Sequence, residues 1–241
     1  MEKPILIIDP GHGGKDPGGG SNGLWTEKDF VLKISLYQLS RFQELGIPAA
    51  ITRTEDIYLD QQQRTTIVRT SGAPYCISNH INAGGGEGAE TIHSIYSDGR
   101  LSLKILEELE KSGQKIRRAY TRRSTTNSQE DYYYMHRQTG SVETVIIEYG
   151  FADNLGDIER LLQHWQAYAE AVVKAFCEHM GYAYRASAIG LSEPWKYEGV
   201  NYLHQEGILL DPEVWKEKIN EPMPVWAVTL LLRKVHEGLK N

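Results

Sequence analysis

Ile5-Leu6-Ile7-Ile8-Asp9-Pro10-Gly11-His12-Gly13-Gly14 is a short, β-branched apolar run that breaks at Asp-Pro-Gly. Four apolar residues without alternation read as a strand buried on both faces, the kind parallel sheets contain. A glycine-rich stretch follows, and then Thr26, after which Phe30, Val31, Ile34, Leu36, Tyr37 and Leu39 recur at helical spacing. Thr26 with Asp29 has the form of a capping box, and Gly46 and Pro48 stop the helix. A buried strand, a loop and an amphipathic helix make the opening unit of an α/β fold.

The alternation continues outward from this unit. Ala49 to Arg53 reads as a strand, Gln61 to Thr70 as a helix, and Tyr75 to Asn79 as a strand before the loop Gly84 to Ala89. Thr91 to Tyr96 follows as a strand, Leu101 to Lys111 as a helix closed by Gly113, and Thr144 to Glu148 as a buried strand. The stripe Ile158, Leu161, Leu162, Trp165, Ala169, Val172, Val173 and Phe176 predicts a long helix from about Asp157 to Met180, capped by Gly181. The fold class expected is α/β, a twisted, mostly parallel sheet flanked by helices, with a small all-α C-terminal domain. The boundaries read as 1–181 for the main domain, 182–194 for a linker, and 195–241 for a helical module with helices around 200–205, 212–219 and 225–237.

Composition narrows the function classes. With 40% hydrophobic, 24% charged and 10% aromatic residues the chain is ordinary globular protein, and no apolar run approaches the length of a membrane span. A net charge of -6 disfavours non-specific nucleic-acid binding. The run from Lys111 to Arg123 carries six basic residues without an acid and is read as a solvated loop, with contact to an anionic wall polymer as the other reading. Cys76 and Cys177 are expected as two buried thiols rather than a disulfide. The stretch from Ile5 to Ile8 is too short for the core of a secretory signal, so synthesis as a cytoplasmic chain is expected. Gly18, Gly20 and Gly23 match a dinucleotide fingerprint only formally, because they lie far beyond the strand end.

Three polar residues stand where strands are expected to end: His12, His80 and Glu148. The carboxyl ends of parallel strands line one crevice, so these three can converge. Glu27 joins them from the first turn of the first helix, where the helix dipole favours a carboxylate. Two histidines and one carboxylate with an open fourth position form the ligand set of a hydrolytic zinc site. His12, Glu27 and His80 are the expected Zn2+ ligands, and Glu148 is left as the group that takes a proton from water and passes it to a leaving nitrogen. His93, His136, His164, His179, His204 and His236 read as surface or core histidines, with the segment Arg122 to Arg137 a candidate border of the substrate groove.

Taken in order, ILIIDPGHGGKDPG, GLWTEKDF, TRTEDIYLDQQQRT, ISNHINA and VIIEYGFADN resemble the zinc-dependent N-acetylmuramoyl-L-alanine amidases of the amidase 3 type over about residues 3 to 180. The resemblance implies zinc on His12, Glu27 and His80, catalysis by Glu148, and peptidoglycan as the partner and substrate. The chain departs from the family pattern at Asn79, before His80, and at Tyr149, after Glu148. Arg53, Asp56 and Arg64 match the family and are expected to build structure. The C-terminal segment resembles small helical modules of bacteriophage endolysins, which implies a wall-binding role, with a packing or association element as the other reading. The function expected is a phage endolysin that cuts between N-acetylmuramic acid and L-alanine. A bacterial autolysin of the same chemistry and a metal-free wall-binding protein stand as alternatives.

Overall fold

The computed structural model describes residues 3–186, 194–207 and 210–217, together with Thr229 and Arg233. The chain divides into two compact units, Met1–Ala188 and Ile189–Asn241. In the first unit the elements run β1 (Leu6–Pro10), α1 (Glu27–Glu44), β2 (Ala49–Ile51), α2 (Gln61–Thr70), β3 (Tyr75–Asn82), β4 (Ala89–His93), α3 (Arg100–Lys111), β5 (Ile116–Tyr120), α4 (Tyr134–Arg137), β6 (Glu143–Phe151) and α5 (Leu155–Met180). The six strands form one sheet in the order β2-β1-β3-β6-β4-β5. All pairs are parallel except β4 with β6.

Helices cover both faces. On one, Phe42 of α1 packs edge-on against Phe176 of α5 at 5.5 Å, and Tyr75 meets the same ring at 5.6 Å. On the other, Ile7, Cys76, Ile92 and Ile146 pack with Val68 of α2 and Met135 of α4. Burial of each such aliphatic side chain contributes about 1.5–3 kcal/mol, so the two cores hold the sheet edge rigid beneath the site. Cys76 and Cys177 are both free and buried.

Local chemistry differs from the sequence reading at several points. Thr26 does cap α1, but its hydroxyl donates to the Asp29 carboxylate, and the Glu27 N–H is taken by Ser21 Oγ at 2.9 Å. A reciprocal capping box occurs instead at Asp60 and Gln63 of α2. Gly181 closes α5 in the left-handed conformation, at φ 74°. The basic run is solvent-exposed as expected, but it is not all loop. Its centre is the edge strand β5, in which Arg117 and Arg118 pair with Glu90; Lys115, just before it, pairs with Glu87, and Lys111, at the end of α3, pairs with Glu107 and Glu108. Ion pairing to acids elsewhere in the chain offsets the charge that suggested solvation.

In the second unit, α6 (Pro194–Gln205) and α7 (Pro212–Glu217) pack on one another. The helix expected around 225–237 lies outside the described residues apart from Thr229 and Arg233, and His236 lies outside them too. Among the described residues, no helix is long and apolar enough to cross a membrane.

Candidate active site

The sheet register aligns the site. Pro10 pairs with Asn79, His80 pairs with Glu148, and Glu148 pairs on its other side with Glu90. The sequence reading put His80 and Glu148 where their strands end, but β3 runs on to Asn82 and β6 to Phe151. Both residues therefore lie inside the sheet at one level, where register partners share a face. His12 stands two residues past the end of the neighbouring β1.

His12 has φ 59°, the only non-glycine residue at positive φ among the described residues. A left-handed conformation costs about 1–2 kcal/mol, so it persists only where neighbours hold it. Arg64 Nη2 donates to the His12 carbonyl at 2.6 Å and Arg53 Nη2 donates to the Gly11 carbonyl at 2.8 Å. Arg64 is itself fixed on buried Asp9 at 2.6 Å. Asp56 accepts from Gly14 N at 2.7 Å and from Lys28. These are the structural duties expected of Arg53, Asp56 and Arg64. A side chain on Gly11 would collide with the His80 ring.

The donor atoms converge. His12 Nε2 lies 3.1 Å from Glu27 Oε1, His80 Nδ1 lies 3.1 Å from the same oxygen, and the two nitrogens are 3.2 Å apart. Ligands about 2.0–2.1 Å from a tetrahedral zinc stand roughly 3.3 Å from one another, so this triangle fits that ion. Among the described residues this is the one His/Cys/Asp/Glu cluster that could hold a metal. His12 Nδ1 meets Asp16 Oδ2 at 2.8 Å, the outer carboxylate that fixes a ligating imidazole in the tautomer with Nε2 free. Sequence reasoning missed Asp16, although it lies in the quoted motif four residues after His12.

The charges are strongly organised. Burial opposes the Glu27 carboxylate, but hydrogen bonds and charges from His12 and His80 outweigh it and lower its pKa. Glu27 also accepts from Gly20 N at 2.7 Å and from Ile81 N at 3.0 Å. Burial likewise opposes a charged His12, and Glu27 and Asp16 outweigh it, so its pKa rises. Glu148 has the opposite surroundings: Oε2 is sealed from water with no partner, and burial, helped by the charges of Glu27 and Glu90, pushes its pKa well above the usual carboxylate range. Glu90, which the sequence reading also missed, is held by Asn82, Arg117 and Arg118.

Behind the site, the two departures from the family pattern touch each other. Tyr149 Oη donates to Asn79 Oδ1 at 3.0 Å, Asn79 Nδ2 donates to Gln38 Oε1 at 2.7 Å, and Gln38 Nε2 donates to Tyr149 Oη at 2.8 Å. This buried ring ties β3, β6 and α1 together one residue away from His80 and Glu148.

A cleft of about 550 Å³ opens over these groups, with His12, Glu27, His80 and Glu148 in its lining. One wall is Gly19, Gly20, Asn82 and Ala83, and another is Tyr58, Tyr133, Tyr134 and Met135. The tyrosine-rich segment thus borders the groove as expected, while His136 turns away from it. Burial lowers the pKa of His136 to about 4.

A family model described as N-acetylmuramoyl-L-alanine amidase, Amidase_3, matches residues 6–178. The chain is similar to the sporulation-specific N-acetylmuramoyl-L-alanine amidase of Bacillus subtilis (strain 168), 40% identical over 95 residues, which are 39% of this chain and 36% of that one. It is 28% identical over 186 residues to the N-acetylmuramoyl-L-alanine amidase CwlM of Bacillus licheniformis, covering 76% of this chain and 69% of the relative. Among solved structures it resembles the N-acetylmuramoyl-L-alanine amidase AmiC2 of Nostoc punctiforme, with a TM-score of 0.66, 24% identity, and 75% and 99% of the two chains covered. That likeness carries the fold.

Proposed function

The chain belongs to the N-acetylmuramoyl-L-alanine amidase family Amidase_3, and from that premise we propose that it hydrolyses the amide between the muramoyl lactyl group and the first L-alanine of the peptidoglycan stem peptide. The observation that carries this reading is the His12–Glu27–His80 triangle beside an orphaned Glu148 in one cleft. Zn2+ held by those three residues would supply a Lewis acid at the point where their donor atoms meet. Glu148, whose carboxyl group lines the cleft, takes a proton from the attacking water and returns it to the departing nitrogen. Glu27 stays ionised and cannot share that task. The intact donor set weighs against a metal-free wall-binding protein.

Two settings fit this chemistry. The relatives named above are bacterial wall amidases, which favours an autolysin or sporulation role. The phage endolysin setting rests on the sequence of the C-terminal segment, for which we propose wall binding across 195–241, after a linker at 182–194. Digestion of purified peptidoglycan tests the activity: new N-terminal L-alanine should appear, and a chelator should stop its appearance. New reducing sugar in its place would make the protein a glycosidase.

A further inference from the structure

We propose that the cleft divides its substrate, with the stem peptide lying along Gly19 and the muramoyl ring lying against the tyrosine wall that begins at Tyr58. The division rests on the amidase reading and deepens it. Three consecutive glycines lead toward α1, and two of them are required by the fold. Gly18 has φ +85° and a side chain there would collide with Glu27, while a side chain on Gly20 would collide with the Ile81 carbonyl. Gly19 is different: its φ is not left-handed, and an added Cβ would meet no protein atom within 4 Å. It is exposed and lines the cleft, and neither its N–H nor its carbonyl bonds to a described residue. Open space beside a bare donor and acceptor is what an extended peptide needs in order to dock by its own backbone.

The other wall offers different chemistry. Tyr133 opens onto α4 and Tyr134 belongs to it, on the sheet face opposite α1, and with Tyr58 they give this side of the cleft an aromatic, hydroxyl-bearing lining. Tyr58 is 43% exposed, and Lys15 Nζ sits over one face of its ring, 4.4 Å from the centroid, so a sugar would use the other face. A pyranose has a face of C–H bonds and a rim of hydroxyls, which matches such rings and not a bare backbone. The amide to be cut must lie between, at Glu148, so its two halves diverge toward the two walls.

The test uses the zinc-loaded full chain and the two product halves as probes, the GlcNAc–MurNAc disaccharide and the tripeptide L-Ala–D-isoGln–L-Lys. Tyr58→Ala should weaken disaccharide binding about tenfold and leave the tripeptide unchanged, the size of one lost aromatic contact. Gly19→Ala and then Gly19→Val should weaken the tripeptide progressively and leave the disaccharide unchanged. Zinc content should match wild type in all three, since none touches the donor triangle. The division is overturned if both kinds of variant weaken the same probe, if the pattern is reversed, or if Gly19→Val binds the tripeptide normally. A wild-type chain that exposes no new N-terminal L-alanine in peptidoglycan overturns the amidase reading itself.

Discussion

Glu27 and Glu148 are the same residue type in two regions that line one cleft, and their surroundings separate them. The loop before α1 and strand β3 surround Glu27 with donors, His12 and the Gly20 N–H from the loop and His80 and the Ile81 N–H from the strand. At the centre of the sheet, β6 gives Glu148 none at Oε2, and sets Glu90 in register beside it. One carboxylate is held charged and suits a metal ligand, while the other has high proton affinity and suits proton transfer. Pairs of titratable groups pushed in opposite directions are how a site divides its labour.

Exchanging each carboxylate for its amide gives the largest expected effects. Glu148→Gln should keep full metal content and lose at least about 10²-fold in kcat, the usual size of general acid–base contributions. Glu27→Gln should lose metal with the rate, measured as zinc per chain after dialysis. If the Glu148 variant is the one that comes out metal-free, the two roles are exchanged. Asp16→Asn should be milder, weakening zinc binding about 10- to 100-fold because the His12 tautomer is no longer fixed. Unaltered affinity there would show that the Asp16 contact is incidental.

The smallest effect concerns the metal-free chain. An unfolded glutamate titrates near 4.3. Glu27 is lowered in the fold, so it contributes stability above that value, lost as pH falls through its folded pKa. Glu148 is raised and keeps its proton longer in the folded than in the unfolded chain, so it lowers stability as pH rises beyond about 4.3. In chelator at neutral pH, urea unfolding should show Glu148→Gln more stable than wild type and Glu27→Gln less stable, each on the order of 1–3 kcal/mol. Shifts of the same sign would end the contrast.

The β1 run and the long α5 stripe were legible because buried parallel strands and amphipathic helices write their periods into consecutive residues. His12, His80 and Glu148 followed, since parallel strands deliver their far ends to one side. What lay beyond reach depends on partners distant in sequence. β5 looked like a solvated loop because Glu90, which accepts Arg117 and Arg118, sits on another strand, and β4 gave no local sign that it runs against β6. Asn79 and Tyr149 looked like two unrelated departures, and only the pairing of β3 with β6 shows that one accepts the other's hydroxyl.

β5 pairs with β4 along one side, and within the first unit no described strand pairs with its other side. A bare strand edge is a template on which a second chain can add itself, the first step of aggregation. Lys115, Arg117 and Arg118 sit at or beside that edge, each more than two-fifths exposed even while paired. A neighbouring chain would have to strip water from these cations before its backbone could dock, so the basic run guards this edge against strand addition.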